Sequence, residues 1–180
     1  MADTKICVIG AGRWGKNHIK TLYALGALGG VVDPDSQQRN KIKELFPQIA
    51  CFDSLEKSFK TNFDGYIVAT PPVTHAQLAK QVLTHKKPVL VEKPLTLSTG
   101  EGQNLKTLVE NLKGKLMVGH LLLFHPAIIK MKAMIQEDIL GDLLYIYSNR
   151  LNLGIVRKDE NVFWSFAPHD ISIFQYFTES

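Results

Sequence analysis

The sequence predicts an α/β fold whose first part is a doubly wound parallel sheet. Short apolar runs alternate with longer amphipathic segments over the first two thirds of the chain, which is the order of a parallel sheet with crossover helices. A glycine-rich turn follows the first apolar run, and an acidic residue, Asp33, ends the second. After residue 120 the alternation stops, which indicates that a different domain begins there.

The first strand is predicted at residues 5–9 and leads into Gly10-Ala11-Gly12-Arg13-Trp14-Gly15. A helix is predicted at 14–25 and a second strand at 29–32, directly before Asp33. Glycines at this spacing let the backbone approach a pyrophosphate at a helix N-terminus, and the acid accepts hydrogen bonds from a ribose diol. The combination predicts a dinucleotide-binding Rossmann unit. A glycine turn between an ordinary strand and helix is the alternative.

The remaining elements complete this unit by residue 120. Further strands are predicted at residues 50–52, 66–69, 89–91 and 116–119. Further helices are predicted at residues 36–46, 55–59, 74–84 and 98–112. Pro47 ends one of these helices, and Pro71 and Pro72 end a strand, because proline lacks the N–H that continued pairing needs. Residues 1–120 are therefore expected to form one doubly wound domain.

Residues 121–180 have a different pattern. Helices are predicted at 126–136 and 167–177, a turn at 140–142, a strand at 143–151 and a polar loop at 152–162. So few elements cannot bury a sheet of their own. We therefore expect this part to be the incomplete start of an α+β C-terminal domain, in a chain truncated within that domain.

Composition narrows the classes of protein. The chain has 180 residues, 45% hydrophobic and 21% charged, with a net charge of +4. The basic residues are scattered, so no nucleic-acid partner is expected, and no apolar run approaches the ~18 residues of a membrane span. Cys7 and Cys51 lie in apolar strand-like segments typical of buried thiols, which favours a cytoplasmic protein. No metal site is predicted.

Three predicted strand ends carry residues suited to chemistry, and strand ends of a parallel sheet border the ligand crevice. They are Thr70-Pro71-Pro72 with His75, Glu92-Lys93-Pro94, and Gly119-His120. A lysine beside a nicotinamide and apolar walls is suited to moving a proton. A surface lysine paired with Glu92 is the other interpretation of Lys93.

Two further groups lie in the second part of the chain. His169, followed by Asp170, is either a general base for a substrate hydroxyl or a buried or helix-capping histidine, and spacing alone favours the second. Arg150, Asn152 and Arg157 either bind a phosphate or lie on a solvated strand edge.

Taken together, these motifs resemble the glucose–fructose oxidoreductase/inositol dehydrogenase (Gfo/Idh/MocA) family. The resemblance is carried by the glycine turn, Asp33, Ala69-Thr70-Pro71 with His75, and above all Glu92-Lys93-Pro94 at its distance from the turn. It covers essentially the whole chain. The stretches 118–127, 145–154 and 164–172 are similar to members that act on nucleotide-linked amino sugars or their uronates.

The resemblance implies a role for each matching residue. The residues expected to bind the cofactor are Gly10, Gly12, Arg13, Trp14, Gly15, Asp33, Thr70, Pro71, His75, Glu92 and Lys93. The glycine turn would bind the pyrophosphate, Asp33 the adenosine ribose, and Glu92 the nicotinamide ribose. Thr70, Pro71 and His75 would line the path to the nicotinamide. The charge of Asp33 would disfavour a 2′-phosphate, so NAD is expected rather than NADP.

The resemblance also implies the chemistry. An NAD-dependent dehydrogenase would oxidise a secondary hydroxyl of a sugar or nucleotide sugar, with Lys93 and His169 as catalytic residues. Many members have an aspartate four residues before this histidine, where this chain has Ser165. A cis Lys93–Pro94 bond is expected, because only X-Pro bonds adopt cis at low cost. The full-length form is expected to be a homo-oligomer.

Two alternatives remain open. If the second part of the chain builds no substrate pocket, the chain is either a non-catalytic NAD-binding fragment or one chain of a split enzyme. A sugar epimerase of the extended short-chain type would need a Tyr-x-x-x-Lys pair, which the sequence lacks.

Overall fold

The computed structural model describes residues 4–151 and 161–179. The chain divides into two compact units, the first ending at Gly119 and the second beginning at His120.

The first unit is built on one parallel sheet of six strands in the order β3-β2-β1-β4-β5-β6. The strands are β1 Ile6–Ile9, β2 Leu28–Val32, β3 Ala50–Phe52, β4 Gly65–Val68, β5 Val89–Val91 and β6 Leu116–Val118. The predicted doubly wound sheet is thereby confirmed. The order reverses between β1 and β4, and ligands of such sheets bind beside the carboxyl ends of the strands at this reversal.

Five helices connect these strands. They are α1 Gly15–Ala24, α2 Ser36–Leu45, α3 Leu55–Ser58, α4 His75–Thr84 and α5 Thr99–Leu112, with a 3-10 turn at Pro72–Thr74 before α4. Side chains cap three of them: Asp35 accepts from the N–H of Gln37, Ser54 from Lys57 and Ser98 from Glu101. Such caps satisfy N–H groups that have no partner inside the helix.

The sheet is packed on both faces, which explains why its strands are nearly continuous apolar runs. On one face, strand residues such as Val68 pack with residues of α3, α4 and α5 such as Val82 and Leu105. On the other, Val8 and Val31 pack with Ile19 of α1 and with α2. The core is therefore complete around β1 and β4, and it fixes the positions of the loops above them.

The second unit contains a 3-10 turn at Leu121–Phe124, α6 at Pro126–Gln136 and α7 at Val162–Thr178. The helix α6 has the predicted bounds. The strand predicted at 143–151 is wrong, because these residues form no regular element and the described chain offers them no neighbouring strand. Leu144 is 85% exposed, so alternation did not reflect a buried face here. The predicted turn lies slightly earlier, at 137–140.

The last helix begins five residues before the predicted start. The side chain of Asn161 accepts a hydrogen bond from the N–H of Trp164 and starts α7 at Val162, so Pro168 lies inside the helix. Most of the predicted loop at 152–162 lies outside the described residues. No helix in the described ranges combines the length and apolar character that a membrane crossing needs.

Candidate active site

The turn after β1 requires each of its three glycines for a different reason. Gly10 has φ +97, and a Cβ there would lie 2.7 Å from the carbonyl oxygen of Ala69. A Cβ on Gly15 would lie 1.9 Å from the carbonyl oxygen of Gly10, so only glycine lets α1 pack this closely on the turn. A Cβ on Gly12 would meet nothing within 4 Å. The space above Gly12 is therefore open, as a turn that receives a pyrophosphate needs.

Asp33 follows β2 and lies against this turn, although it is nearly buried. One carboxylate oxygen accepts the N–H of Ala11 at 2.7 Å, and the other accepts the N–H of Asp35 at 2.8 Å. The Arg39 guanidinium donates to the carbonyl oxygens of Asp33 and Pro34 at 2.7 and 2.8 Å. These bonds fix the acid beside the glycine turn, where the adenosine ribose is expected to bind.

Arg13 and Trp14 are the exposed residues between the turn and α1. Trp14 keeps 45% of its surface exposed, and its indole lies near the carboxylate of Glu92, the residue after β5, and contributes to lowering the pKa of that carboxyl. The side chain of Trp14 thus brings the glycine turn close to the Glu92-Lys93 segment.

The loop after β4 is organised by a buried histidine. His75 is 1% exposed, and its ring nitrogens lie 2.8 Å from the carbonyl oxygens of Thr70 and Pro94. The hydroxyls of Thr70 and Thr74 are 2.7 Å apart. The ring joins the loop after β4 to the segment after β5, and the expected position of His75 on the nicotinamide path stays a prediction.

The segment after β5 has the expected cis bond between Lys93 and Pro94. Glu92 is 6% exposed, and its carboxylate accepts from His18 Nε2 at 2.7 Å and from the N–H of Lys93 at 3.3 Å. Burial raises the pKa of Glu92, but the hydrogen bonds from His18 and Trp14 outweigh it and hold the pKa below its ordinary value. Glu92 is therefore an ionised acceptor at neutral pH, beside a half-buried Lys93.

Sequence analysis missed His18. It lies on α1 four residues after Trp14, so both side chains are on one face of the helix. No local pattern marks its partner, because Glu92 is 74 residues away. The spacing from Trp14 could have flagged a shared face, but not what that face contacts.

In the second unit, His169 lies on α7 and is 9% exposed. Its ring meets the ring of His120 edge-on, with centroids 6.5 Å apart. Next to it, the carboxylate of Asp170 accepts from Arg150 Nε at 2.7 Å, from Arg150 Nη2 at 3.1 Å and from the Ser148 hydroxyl at 2.9 Å. Burial raises the pKa of Asp170, but these bonds outweigh it and lower the pKa. The Arg150–Asp170 ion pair holds the segment before residue 151 against α7.

This pairing changes the interpretation of the arginine group. The guanidinium of Arg150 binds an acid of its own chain, and Asn152 and Arg157 lie outside the described residues. Ser165 lies one turn before His169 on α7. Lys93 and His169 belong to different units, so their joint action stays a prediction.

Comparison with known proteins agrees with these features. The model of an oxidoreductase family with an NAD-binding Rossmann fold, Gfo/Idh/MocA, matches residues 4–120. UDP-N-acetylglucosamine 3-dehydrogenase of Acidithiobacillus ferrooxidans is 30% identical, the match covering 96% of this chain and 54% of that protein. Inositol 2-dehydrogenase 1 of Paenarthrobacter aurescens is 26% identical, with coverage of 97% and 54%. The chain thus spans about half the length of these curated relatives.

Solved structures show the same architecture. A putative oxidoreductase from Magnetospirillum magnetotacticum has a TM-score of 0.89 at 29% identity, covering 99% of this chain and 58% of that one. Scyllo-inositol dehydrogenase from Lactobacillus casei, with bound NAD(H) and scyllo-inositol, has a TM-score of 0.82 at 18% identity, covering 97% and 56%, and supports the fold alone. With the glycine turn, Asp33 and the Glu-Lys-Pro segment all inside the matched range, this chain belongs to the Gfo/Idh/MocA family of oxidoreductases with an NAD-binding Rossmann fold.

Proposed function

We propose that this chain contributes the NAD site and part of the catalytic machinery of a dehydrogenase that oxidises a secondary hydroxyl of a sugar. The observation that carries the proposal is that three features meet at the carboxyl edge of the sheet. They are the glycine turn, the acid that hydrogen-bonds to it, and the Glu92-Lys93 segment that the first helix reaches through Trp14 and His18.

The chain's own residues fit NAD. The open space at Gly12 accommodates a pyrophosphate, and α1 directs its N-terminal N–H groups toward it. Each oxygen of Asp33 accepts one backbone N–H and retains lone pairs for a ribose hydroxyl. Its negative charge would repel the 2′-phosphate of NADP. When bound, NAD supplies the nicotinamide carbon that accepts the hydride.

Lys93 and His169 are the proposed catalytic residues. The ammonium of Lys93 would hold and polarise the hydroxyl oxygen, and the imidazole of His169 would take the hydroxyl proton. Ser165 stands where many members of the family have aspartate, so this proposal includes no Asp–His pair but keeps the Lys–His pair. Thr70 and Pro71 border the nicotinamide side of the site.

For the substrate we propose a nucleotide-linked amino sugar or uronate. One relative with 30% identity acts, by its name, on UDP-N-acetylglucosamine, whereas another with 30% identity and one with 26% are named inositol 2-dehydrogenases. Both kinds of substrate present a secondary hydroxyl on a six-membered ring, so the coarser description as a ring polyol fits either.

The first test is titration calorimetry of the chain with NAD and with NADP. We expect NAD to bind at least about tenfold more tightly, a preference of ~1.4 kcal/mol or more. The variant Asp33→Ser should weaken NAD binding and narrow the preference. Equal affinity of the parent for both cofactors would contradict the role of Asp33.

The second test measures turnover, followed as reduced nicotinamide, with UDP-N-acetylglucosamine, its uronate and inositols. Lys93→Met and His169→Gln should each lower kcat by about 10²–10⁴-fold, as the loss of an acid or base does. Lys80→Met and His85→Gln, both outside the site, serve as controls. If either site variant retains full turnover, its proposed role is wrong. If the parent binds NAD but turns over none of these sugars, the non-catalytic alternative is favoured.

A further inference from the structure

The carboxylate of Glu92 is held by a side chain of α1. His18 Nε2 lies 2.7 Å from one of its oxygens, and the nearby indole of Trp14 contributes to the lowered pKa of this carboxyl. Trp14 directly precedes α1 with helical backbone angles and lies four residues before His18, so both residues lie on the side of α1 that faces Glu92. The start of α1 is therefore linked directly to the residue that follows β5.

Two more features restrict the orientation of this carboxylate. The backbone N–H of Lys93 lies 3.3 Å from its second oxygen. A Cβ on Gly119 would lie 3.3 Å from the carboxyl carbon and from both oxygens, so the glycine forms a close floor beneath the group. With the Glu92 side chain only 8% exposed, little rotation is possible while these contacts hold.

We propose that His18 is a positioning residue that holds Glu92 in the orientation needed to accept the hydroxyls of the nicotinamide ribose. This inference rests on the proposed NAD site. His18 does not touch the cofactor in this proposal and acts only through Glu92. The side chain of His18 is 24% exposed and is not part of the buried core, and its hydrogen bond to Glu92 is the contact through which it acts in this proposal.

Comparing NAD with the shorter ligand ADP distinguishes a positioning role of His18 from a purely structural one. ADP has the adenosine ribose and the pyrophosphate, but it lacks the second ribose and the nicotinamide. A positioning role through Glu92 predicts weaker NAD binding with ADP binding intact. A purely structural role predicts that both ligands weaken together, because the helix at the glycine turn would be disturbed.

The experiment is calorimetric titration of the whole chain with NAD and ADP in four variants. His18→Phe keeps a ring without the donor nitrogen, and His18→Asn keeps polarity but falls short of the carboxylate. His18→Gln retains a donor near the position of Nε2. His85→Gln is the control, since His85 binds the carbonyl of Gln81 and stacks on Phe59 away from the site.

We expect His18→Phe and His18→Asn to weaken NAD binding about tenfold, the value of one hydrogen bond to a charged group, and to leave ADP within about twofold. His18→Gln should restore NAD binding to within about threefold of the parent. The inference is overturned if the binding of NAD and of ADP weakens equally, or if neither His18→Phe nor His18→Asn affects NAD binding. It is also overturned if His18→Gln binds NAD as weakly as His18→Phe. Failure of the parent to bind either ligand would instead refute the proposed NAD site.

Discussion

Substitutions of single glycines in the turn should affect NAD binding and folding stability differently. Gly12→Ala places a methyl group in open space, so the free protein should keep its thermal stability, while the methyl occupies the region proposed for the pyrophosphate. Overpacking of about 1–3 kcal/mol corresponds to NAD binding weaker by about fivefold to 150-fold. Titration calorimetry and a thermal unfolding curve on the same sample measure both effects.

Gly15→Ala is the matched comparison. Its Cβ would lie 1.9 Å from a backbone oxygen, so the helix must move and the free protein should lose several degrees of melting temperature even without ligand. An unchanged melting temperature for Gly15→Ala, or a large loss for Gly12→Ala, would show that the turn has a different conformation.

His75 offers a second prediction at this scale. Replacement by Phe removes the ring nitrogens from the buried contact with the Pro94 carbonyl oxygen and the partly buried contact with that of Thr70. Because an unsatisfied buried group costs about 1–3 kcal/mol, the free energy of unfolding should fall by about 1–3 kcal/mol. Urea unfolding measures this loss, with His85→Phe as the control. If stability is unchanged and NAD affinity alone is lost, His75 lines the cofactor path as the sequence first indicated.

At the scale of elements, most of the first unit was predictable from local signals. Apolar runs bounded by glycine and proline located β3 and β5 to the residue, and the other strands to within a residue or two. Such runs are reliable here because strands buried on both faces must be apolar throughout. The glycine turn and Asp33 could be assigned because each lies directly after a strand, and the strands themselves were located correctly.

Most of the errors have a common cause, which is that the structure there depends on partners distant in the sequence. Alternation at residues 143–151 resembled a half-buried strand, but strand pairing needs a neighbour that no local pattern specifies. Likewise, the sequence around His18 contains no sign of Glu92, and that around Arg150 contains no sign of Asp170. The late start predicted for α7 is a separate error, because the Asn161 cap that determines the actual start is a local signal that the prediction did not use.

The two helices of the second unit are joined by a buried lysine. Lys132 of α6 donates to the carbonyl oxygen of Phe177 at 3.3 Å and to Glu179 at 2.7 Å, at the C-terminus of α7 where a cation is favourable. Lys132→Met keeps the apolar stem but loses these bonds, so stability should fall by about 1 kcal/mol. Lys130→Met, on the exposed side of α6, is the control. Urea unfolding followed by circular dichroism compares them, and equal curves would show that the lysine contributes only its stem.

For the whole molecule, the two units carry the proposed function separately. The first contains every proposed cofactor residue and Lys93, and the second contains His169. A loss of NAD affinity therefore tests the first unit alone, whereas a loss of turnover with intact NAD binding tests His169. This separation makes the two kinds of measurement in the proposed tests independent.

Acid should destabilise both units, because each contains a carboxyl group whose pKa is lowered in the folded state. The pKa values of Glu92 in the first unit and of Asp170 in the second are lowered by their hydrogen bonds, despite the opposing effect of burial. A carboxyl whose folded pKa lies below its unfolded value stabilises the fold fully above the unfolded value, which is 4.5 for Glu and 3.8 for Asp. That stabilisation is lost as the pH falls through the lower, folded pKa.

We therefore expect the free energy of unfolding to decrease as the pH falls below 4.5, because the unfolded chain then binds more protons than the folded one. Glu92→Gln removes one of these groups and should flatten this acid decline, whereas Glu44→Gln, an exposed residue of α2, should leave it unchanged. Urea unfolding midpoints between about pH 6 and about pH 3 measure the slope. A Glu92→Gln slope equal to that of the parent would mean that the His18 hydrogen bond to Glu92 does not persist in solution, which would also remove the basis for His18 as a positioning residue.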